Sequence, residues 1–537
     1  MAQLQPPAIY RLPPELLLQI AAQLRARTAS DLVHLRNLCL VSKKLLPVAQ
    51  EQLYANAELP NTCGCHPTVN SAVQLLRTLL ERPKLAPHVK GLRFSVVRRN
   101  VGRLYQNEFP KKNLDLPALR DLCARELDKL GYGEGHPWWA SLGNNVESAY
   151  AGLLLCLLPN LAKLQYTVKE LHRGCEVADP NPALFGTCSP PATLTDALRT
   201  SLQELCTSDL TFLRSLAFDS LKVLKIRSVT VQTLLQLNGP NTFRGTAQLS
   251  ELCVGLSVYL LDEYCINDAQ TSFRDLIDAL GCHKLSTLKL KLEHESYCTL
   301  HMPTFDVQLL VDQMSSLQST LKILEIDLDL LEAGDEWDFI DTRCKNMGSS
   351  MKNFTRMEWL KIPQAFLLAD LGSERKVMPQ DLPNRLQRLE VVSPDIAIIS
   401  WAKDILGASE ELEELREIYL HCRDVNTPAS VFSKSVKPVW SDLFDCGVTS
   451  YIVDLTSKTT KSLPALYEAD PGESDDEDDD WEDGDDEESE NEGSANDRDT
   501  EDHDDESDED MPDLELFGAV DELDDDTIPG MTIDDMD

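Results

Sequence analysis

The chain reads as a mixed α/β protein in three parts: a small unit of three helices, an irregular solenoid of strand and helix repeats, and a disordered acidic tail. Three observations predict this. Apolar residues recur at helical spacing over the first fifty residues, a leucine-centred triplet returns at a constant interval through the middle, and most of the net charge of −40 falls at the carboxyl end. The parts are placed at residues 8–58, 59–467 and 468–537.

The first part starts at Leu12-Pro13-Pro14-Glu15. Pro14 suits the first helical position, where a missing N–H costs nothing, and Glu15 favours the positive end of the helix dipole. Leu16, Leu17, Ile20 and Leu24 then follow at helical spacing. Thr28, Ser30 and Asp31 offer caps for a second helix striped by Leu32, Leu35, Leu38 and Val41, and a third helix is expected from Lys43 to Leu53, started or interrupted at Pro47. A core of three short helices rarely supplies more than about 3–5 kcal/mol, so the unit is expected to dock on something.

These residues resemble an F-box. The match runs through Leu12, Pro13, Glu15, Ile20, Leu24, Asp31, Leu32, Val41, Ser42 and Lys43, with Leu53-Tyr54 closing the module. Leu45 stands where that family often has tryptophan, and the linker from Arg25 to Ser30 is slightly long and basic. The resemblance implies a substrate receptor of a Skp–cullin–F-box ubiquitin ligase. Its adaptor-binding residues would be Leu12, Pro13, Glu15, Ile20, Leu24, Leu32, Leu38, Val41 and Ser42, with the transfer chemistry on other subunits.

In the second part, an apolar-x-x-Leu-x-apolar triplet occurs at Leu249/Leu252/Val254, Leu285/Leu288/Leu290, Leu321/Leu324/Ile326 and Met357/Leu360/Ile362, the central leucines stepping by 36. Leu386/Leu389/Val391 and Leu415/Ile418/Leu420 follow at steps of 29, and earlier copies lie at Val89/Leu92/Phe94, Leu161/Leu164/Tyr166 and Leu221/Leu224/Ile226. Helical segments at Phe273 to Leu280, Val307 to Met314 and Ile396 to Leu406 separate them, so strands inside and helices outside are expected. The pattern resembles leucine-rich repeats. The asparagine after the strand in that family's motif is replaced by Ser257, Glu293, Asp329, Ala365 and Pro394, which implies an irregular array. Residues 103–150, with Gly131, Gly133, Gly135 and Trp138-Trp139, break the rhythm and read as an insertion or long loop. Because strands alternate sides, Lys225, Lys289, Glu325, Lys361, Glu390 and Tyr419 should be exposed on the strand face. With Trp359, they are the candidate target-binding residues.

The third part holds 37 Asp and Glu against one basic residue, Arg498, a charge of −36 that leaves the rest of the chain at −4. Such a segment cannot bury enough apolar surface to offset ordering entropy, and its repulsion extends it. It provides solubility or an electrostatic arm for basic proteins.

No stretch of about 18 apolar residues suggests a membrane span, and no basic-then-apolar signal opens the chain. Fifteen cysteines with no repeated spacing fit reduced thiols, hence a cytoplasmic or nuclear protein. Cys63-Gly64-Cys65-His66 lacks a second ligand pair for zinc. His294 to Cys298 has no visible partner, and Gly131 to Gly135 lacks dinucleotide spacing. No phosphate loop, Gly-x-Ser-x-Gly elbow or His-Glu-x-x-His helix occurs, so neither enzymatic activity nor a cofactor is expected. The longest basic runs are pairs such as Arg98-Arg99 and Lys111-Lys112, which disfavours direct nucleic-acid binding. The expected function is target recognition for a ubiquitin ligase, the target itself being undetermined. The alternative is a repeat scaffold or basic-protein chaperone acting through the tail.

Overall fold

A computed structural model describes residues 8–23, 32–59, 71–101, 114–170, 177, 179–208, 210, 213, 218–229, 243, 246–261, 273–293, 305–328, 344–368, 377–408, 411–422, 436–455 and 459–462. All belong to one unit, Met1–Pro471; the second unit, Gly472–Asp537, contains most of the acidic segment and lies outside the described residues.

The first unit is mixed α/β around a mostly parallel sheet of 13 strands. Its strands are β1 (Asn56–Glu58), β2 (Gly91–Arg98), β3 (Lys163–Glu170), β4 (Glu204–Thr207), β5 (Val223–Val229), β6 (Glu251–Ser257), β7 (Thr287–Glu293), β9 (Ile323–Leu328), β11 (Trp359–Pro363), β12 (Arg388–Val392), β13 (Glu417–Cys422), β14 (Thr449–Asp454) and β15 (Thr459–Ser462), in that spatial order. A separate pair is formed by β8 (Phe305–Asp306) and β10 (Cys344–Lys345). Each strand of the large sheet therefore lies beside the next one in sequence, and only β15 pairs antiparallel.

The repeat triplets set this register. Leu92, Leu164, Leu205, Leu224, Leu252, Leu288, Leu324, Leu360, Leu389 and Ile418 are direct neighbours across the sheet, and all are buried. They share one core with the apolar faces of the connecting helices, including Leu276 and Ile277 of Phe273–Leu280 and Leu310 and Val311 of Val307–Gln313. A one-residue slip would turn every leucine to the opposite face, so burial of this row holds the register. Four strands of the large sheet, β1, β4, β14 and β15, lie outside the triplets recognised in the sequence. β4 is short, and β14 places Ser450 where a leucine would stand.

At the amino end, α1 (Pro14–Gln23), α2 (Leu32–Val41) and α3 (Leu46–Ala55) enclose a small cluster of Leu17, Ala21, Leu35, Leu45 and Val48. The first helix buries Leu17 and Ala21, leaving Leu16 and Ile20 outside, so the expected apolar stripe is not all core. Pro47 falls in the first turn of α3. No linker separates this unit from the sheet: α3 runs directly into β1, which pairs with β2, and Tyr54, Ala57 and Leu59 pack on the large core. The boundary placed at 58 thus falls at the end of a strand of the large sheet.

Residues 103–150 do not form a long loop where they are described. They contain α5 (Leu116–Lys129), α6 (Pro137–Gly143) and the start of α7 (Glu147–Cys156), numbered after α4 (Ser71–Glu81). Asp115 caps α5 by accepting from the Ala118 amide at 3.1 Å, and Leu116, Leu119, Cys123 and Leu127 give it a buried face at helical spacing. The glycine-rich stretch is the turn between α5 and α6, with Gly131 in the left-handed region at φ 88°. Trp138 is fully buried, its indole N–H donating to the Ala149 carbonyl at 3.0 Å and its ring edge-on to Phe185. Arg99, just beyond β2, meets Glu147 at 2.7 Å with both side chains buried, and the Glu147 amide donates to the Arg99 carbonyl. This ion pair ties the helical insertion to the end of the strand.

Candidate functional site

The seven candidate residues on the strand face come from two adjacent rows of the sheet. Cys206, Lys225, Cys253, Lys289, Glu325, Lys361, Glu390, Tyr419 and Tyr451 are successive neighbours in one row. Trp359 lies two residues earlier along its strand, beside Arg388. Lys225, Lys289, Glu325, Lys361, Trp359 and Tyr419 are half-buried rather than fully exposed, because side chains on neighbouring strands flank each one.

The charged residues neutralise one another across strands. Glu204 receives Lys163 at 2.7 Å and Lys225 at 2.8 Å. Lys289 lies 3.1 Å from Glu325 and 3.8 Å from Glu251, and Lys361 donates to Asp327 at 2.9 Å. Burial works against ionisation of Glu204, but Lys163 and Lys225 outweigh it and hold its carboxyl below the usual carboxylate range. Burial raises the Cys206 thiol, and burial followed by the nearby Glu251 charge pushes Cys253 up to about 12, so both stay protonated near neutral pH.

Glu390 departs from expectation. It is 3% exposed, held by Arg388 at 2.6 Å and by His421 Nε2 at 2.7 Å. An ionised carboxylate only accepts hydrogen bonds, so Nε2 carries the proton. Its neighbours consume this side chain, and it does not offer an exposed contact. The aromatic residues are also engaged internally: the Arg388 guanidinium carbon lies 4.6 Å from the Trp359 ring centre and 3.9 Å from that of Tyr419, which stacks on Tyr451 at 4.6 Å. Arg388 organises this column, and cation–π attraction accounts for its placement.

Burial alone would raise the Glu390 pKa, but His421 and Arg388 together bring it below the usual carboxylate value. A depressed folded-state pKa contributes stability above the unfolded value, about 4.3, and loses it as pH falls through the folded value. Glu390→Gln should therefore destabilise the protein at pH 7, and the difference from the unaltered chain should shrink below about pH 4. Urea unfolding of both chains at the two pH values checks this; a difference independent of pH would refute it.

A cavity of about 560 Å³ opens along this face, lined by Lys225, Lys289, Glu325 and Lys361 together with Arg227, Asp327 and His421. Trp359, Glu390 and Tyr419 do not line it. The additional residues lie two positions beyond a candidate on the same strand, so the same alternation would have found Arg227, Asp327 and His421.

Of the candidate adaptor-binding residues, Pro13, Glu15, Ile20 and Val41 are exposed, whereas Leu12, Leu38 and Ser42 are half-buried. Leu12 and Leu38 pack on the small helical cluster. Leu24 and the Leu32 side chain lie outside the described residues, as do Cys63 to His66 and His294 to Cys298. Among the described residues, no group of three or more His, Cys, Asp and Glu could hold a metal ion, and no helix is long and apolar enough to cross a membrane. No protein-family model matches the chain, and no curated protein matches it.

Proposed function

We propose that this chain is the substrate-recognition subunit of a Skp–cullin–F-box ubiquitin ligase. The helical unit docks on the Skp adaptor, and the strand face of a leucine-rich-repeat-like solenoid holds the protein target. One observation carries the docking half. Among the described residues, five of the seven large exposed hydrophobics fall in the first 41 positions: Ile9, Leu16, Ile20, Leu40 and Val41. Leu40 at 84% and Val41 at 65% stand out most, next to Leu16 at 43% and Ile20 at 41%. Isolated exposed hydrophobics are ordinary, but a concentration of them on one small unit marks an interaction surface.

The sequential, mostly parallel strand order and the in-register leucines support the solenoid reading, since in such arrays each repeat packs only on its neighbours. In this reading the chain is a non-catalytic receptor acting in the cytoplasm or nucleus. The direct junction of α3 with β1 holds the docking helices and the recognition face in one body. The acidic segment serves as an electrostatic arm that raises encounter rates with basic proteins, and the scaffold or chaperone alternative draws its support from the same charge.

Reversing Lys289, Glu325 and Lys361 together should remove the target from material captured with the protein when degradation is blocked, while adaptor capture persists. Quantitative proteomics of the unaltered and reversed chains reads both. An unchanged list of partners would place recognition elsewhere on the chain.

A further inference from the structure

The charge order along the central row also specifies the shape of what can lie across it. Lys225, Cys253, Lys289, Glu325 and Lys361 occupy five consecutive strands in direct register, giving positive, neutral, positive, negative and positive positions. Adjacent strands lie about 4.8 Å apart, so the five positions span roughly 19 Å. An α-helix laid across the strands returns a side chain to one face every turn of about 5.4 Å, and five such positions span about 21 Å. An extended segment returns every ~6.7 Å and needs about 27 Å for the same five, while a polyproline helix returns every ~9.3 Å. Only the α-helix stays within side-chain reach of every position along the row.

We propose that the row is the docking surface for an α-helical segment of the target that presents acidic, neutral, acidic, basic and acidic side chains on successive turns. This rests on the strand face being the target site and names the class of segment it takes. The pairs already present leave part of this row open to such a ligand. Lys225 and Lys289 are about two-fifths exposed, at 41% and 40%, whereas Glu325 and Lys361 are 18% exposed, so the two lysines make the contacts that reorganise at little cost. The order also favours the ligand's own helix, because an acidic side chain followed one turn later by a basic one is a stabilising helical pair.

The test uses the full chain and three labelled alanine-rich peptides of equal length, read by fluorescence anisotropy. One carries glutamate, alanine, glutamate, lysine and glutamate at successive helical turns. The second places the same five residues at alternate positions, and the third keeps the helical spacing with acidic and basic positions exchanged as a set. The first should bind at least about tenfold tighter than the other two, the gain expected from a few partly exposed pairs together. A chain with Lys225→Glu, Lys289→Glu, Glu325→Lys and Lys361→Glu should prefer the third. Equal binding of all three to the unaltered chain, or no binding by any, overturns the helical assignment. If reversal of the face still removes the captured target in that case, target recognition stays on this face and only the class of segment is wrong. If capture also survives reversal, the recognition reading fails too.

Discussion

A chain carrying Ile20→Asp and Val41→Asp is expected to lose the Skp adaptor in co-purification while its sheet melts as before. Both side chains reach solvent, Ile20 at 41% and Val41 at 65% exposure, so replacing them removes less internal packing than replacing a core residue. Burying an aliphatic side chain against a partner contributes roughly 1.5–3 kcal/mol. Losing two corresponds to about a hundredfold to ten-thousandfold in affinity, before the added cost of desolvating two carboxylates. Leu12 and Leu38 are poorer sites for this test because they pack on the helical core, where truncation would unfold the unit and abolish capture indirectly. Leu16 and Leu40 belong with the exposed pair and should weaken capture when made polar. Undiminished capture by the double aspartate variant, with its melting intact, would end the F-box assignment.

The second large effect is internal. Glu147→Ala should destabilise the protein by about 3–5 kcal/mol, because it removes the carboxylate 2.7 Å from the buried Arg99 guanidinium, and breaking a buried ion pair from one side costs far more than the pair itself contributes. A loss of that size is a large part of the usual 5–15 kcal/mol stability of a folded domain. Replacing the pair with apolar residues, Arg99→Met with Glu147→Leu, should recover most of it. Urea unfolding of the single and double variants measures the difference. A single variant within about 1 kcal/mol of the unaltered chain would mean that water reaches the site and the charge is never isolated.

How far each region could be read from the sequence follows the length of its pattern. Phe273–Leu280 is a helix at the limits its apolar spacing suggests, and the leucine triplets lie in register because each repeats one strand with one buried face. β4 has only four residues, and β14 carries Ser450 at the leucine position, so neither showed the triplet. Residues 103–150 were obscured by their glycines and tryptophans. The spacing of Leu116, Leu119, Cys123 and Leu127 was nevertheless present and marks the helix that the structure contains. On the face itself, alternation put Lys225, Lys289, Glu325 and Lys361 on one side of the sheet, where they are half-buried and line a cavity, but it could not foresee that Glu390 would be enclosed. That depends on Arg388 two residues earlier and on His421 from the next strand.

The sequence by itself determined which residues face the core of the large sheet, where the first two amino-terminal helices begin, and that the charge gathers at the carboxyl end. Each is a local consequence of periodicity, capping or composition. Only the tertiary structure decided which charges meet, since pairs such as Lys289 with Glu325, Lys361 with Asp327 and Arg99 with Glu147 join residues 34 to 48 apart in the chain. It also decided which apolar residues of the first helix stay outside, because Leu16 and Leu17 satisfy the same helical spacing and differ only in what packs against them. Spacing along a chain gives the direction of a side chain relative to its own element; what lies opposite it depends on how the elements come together.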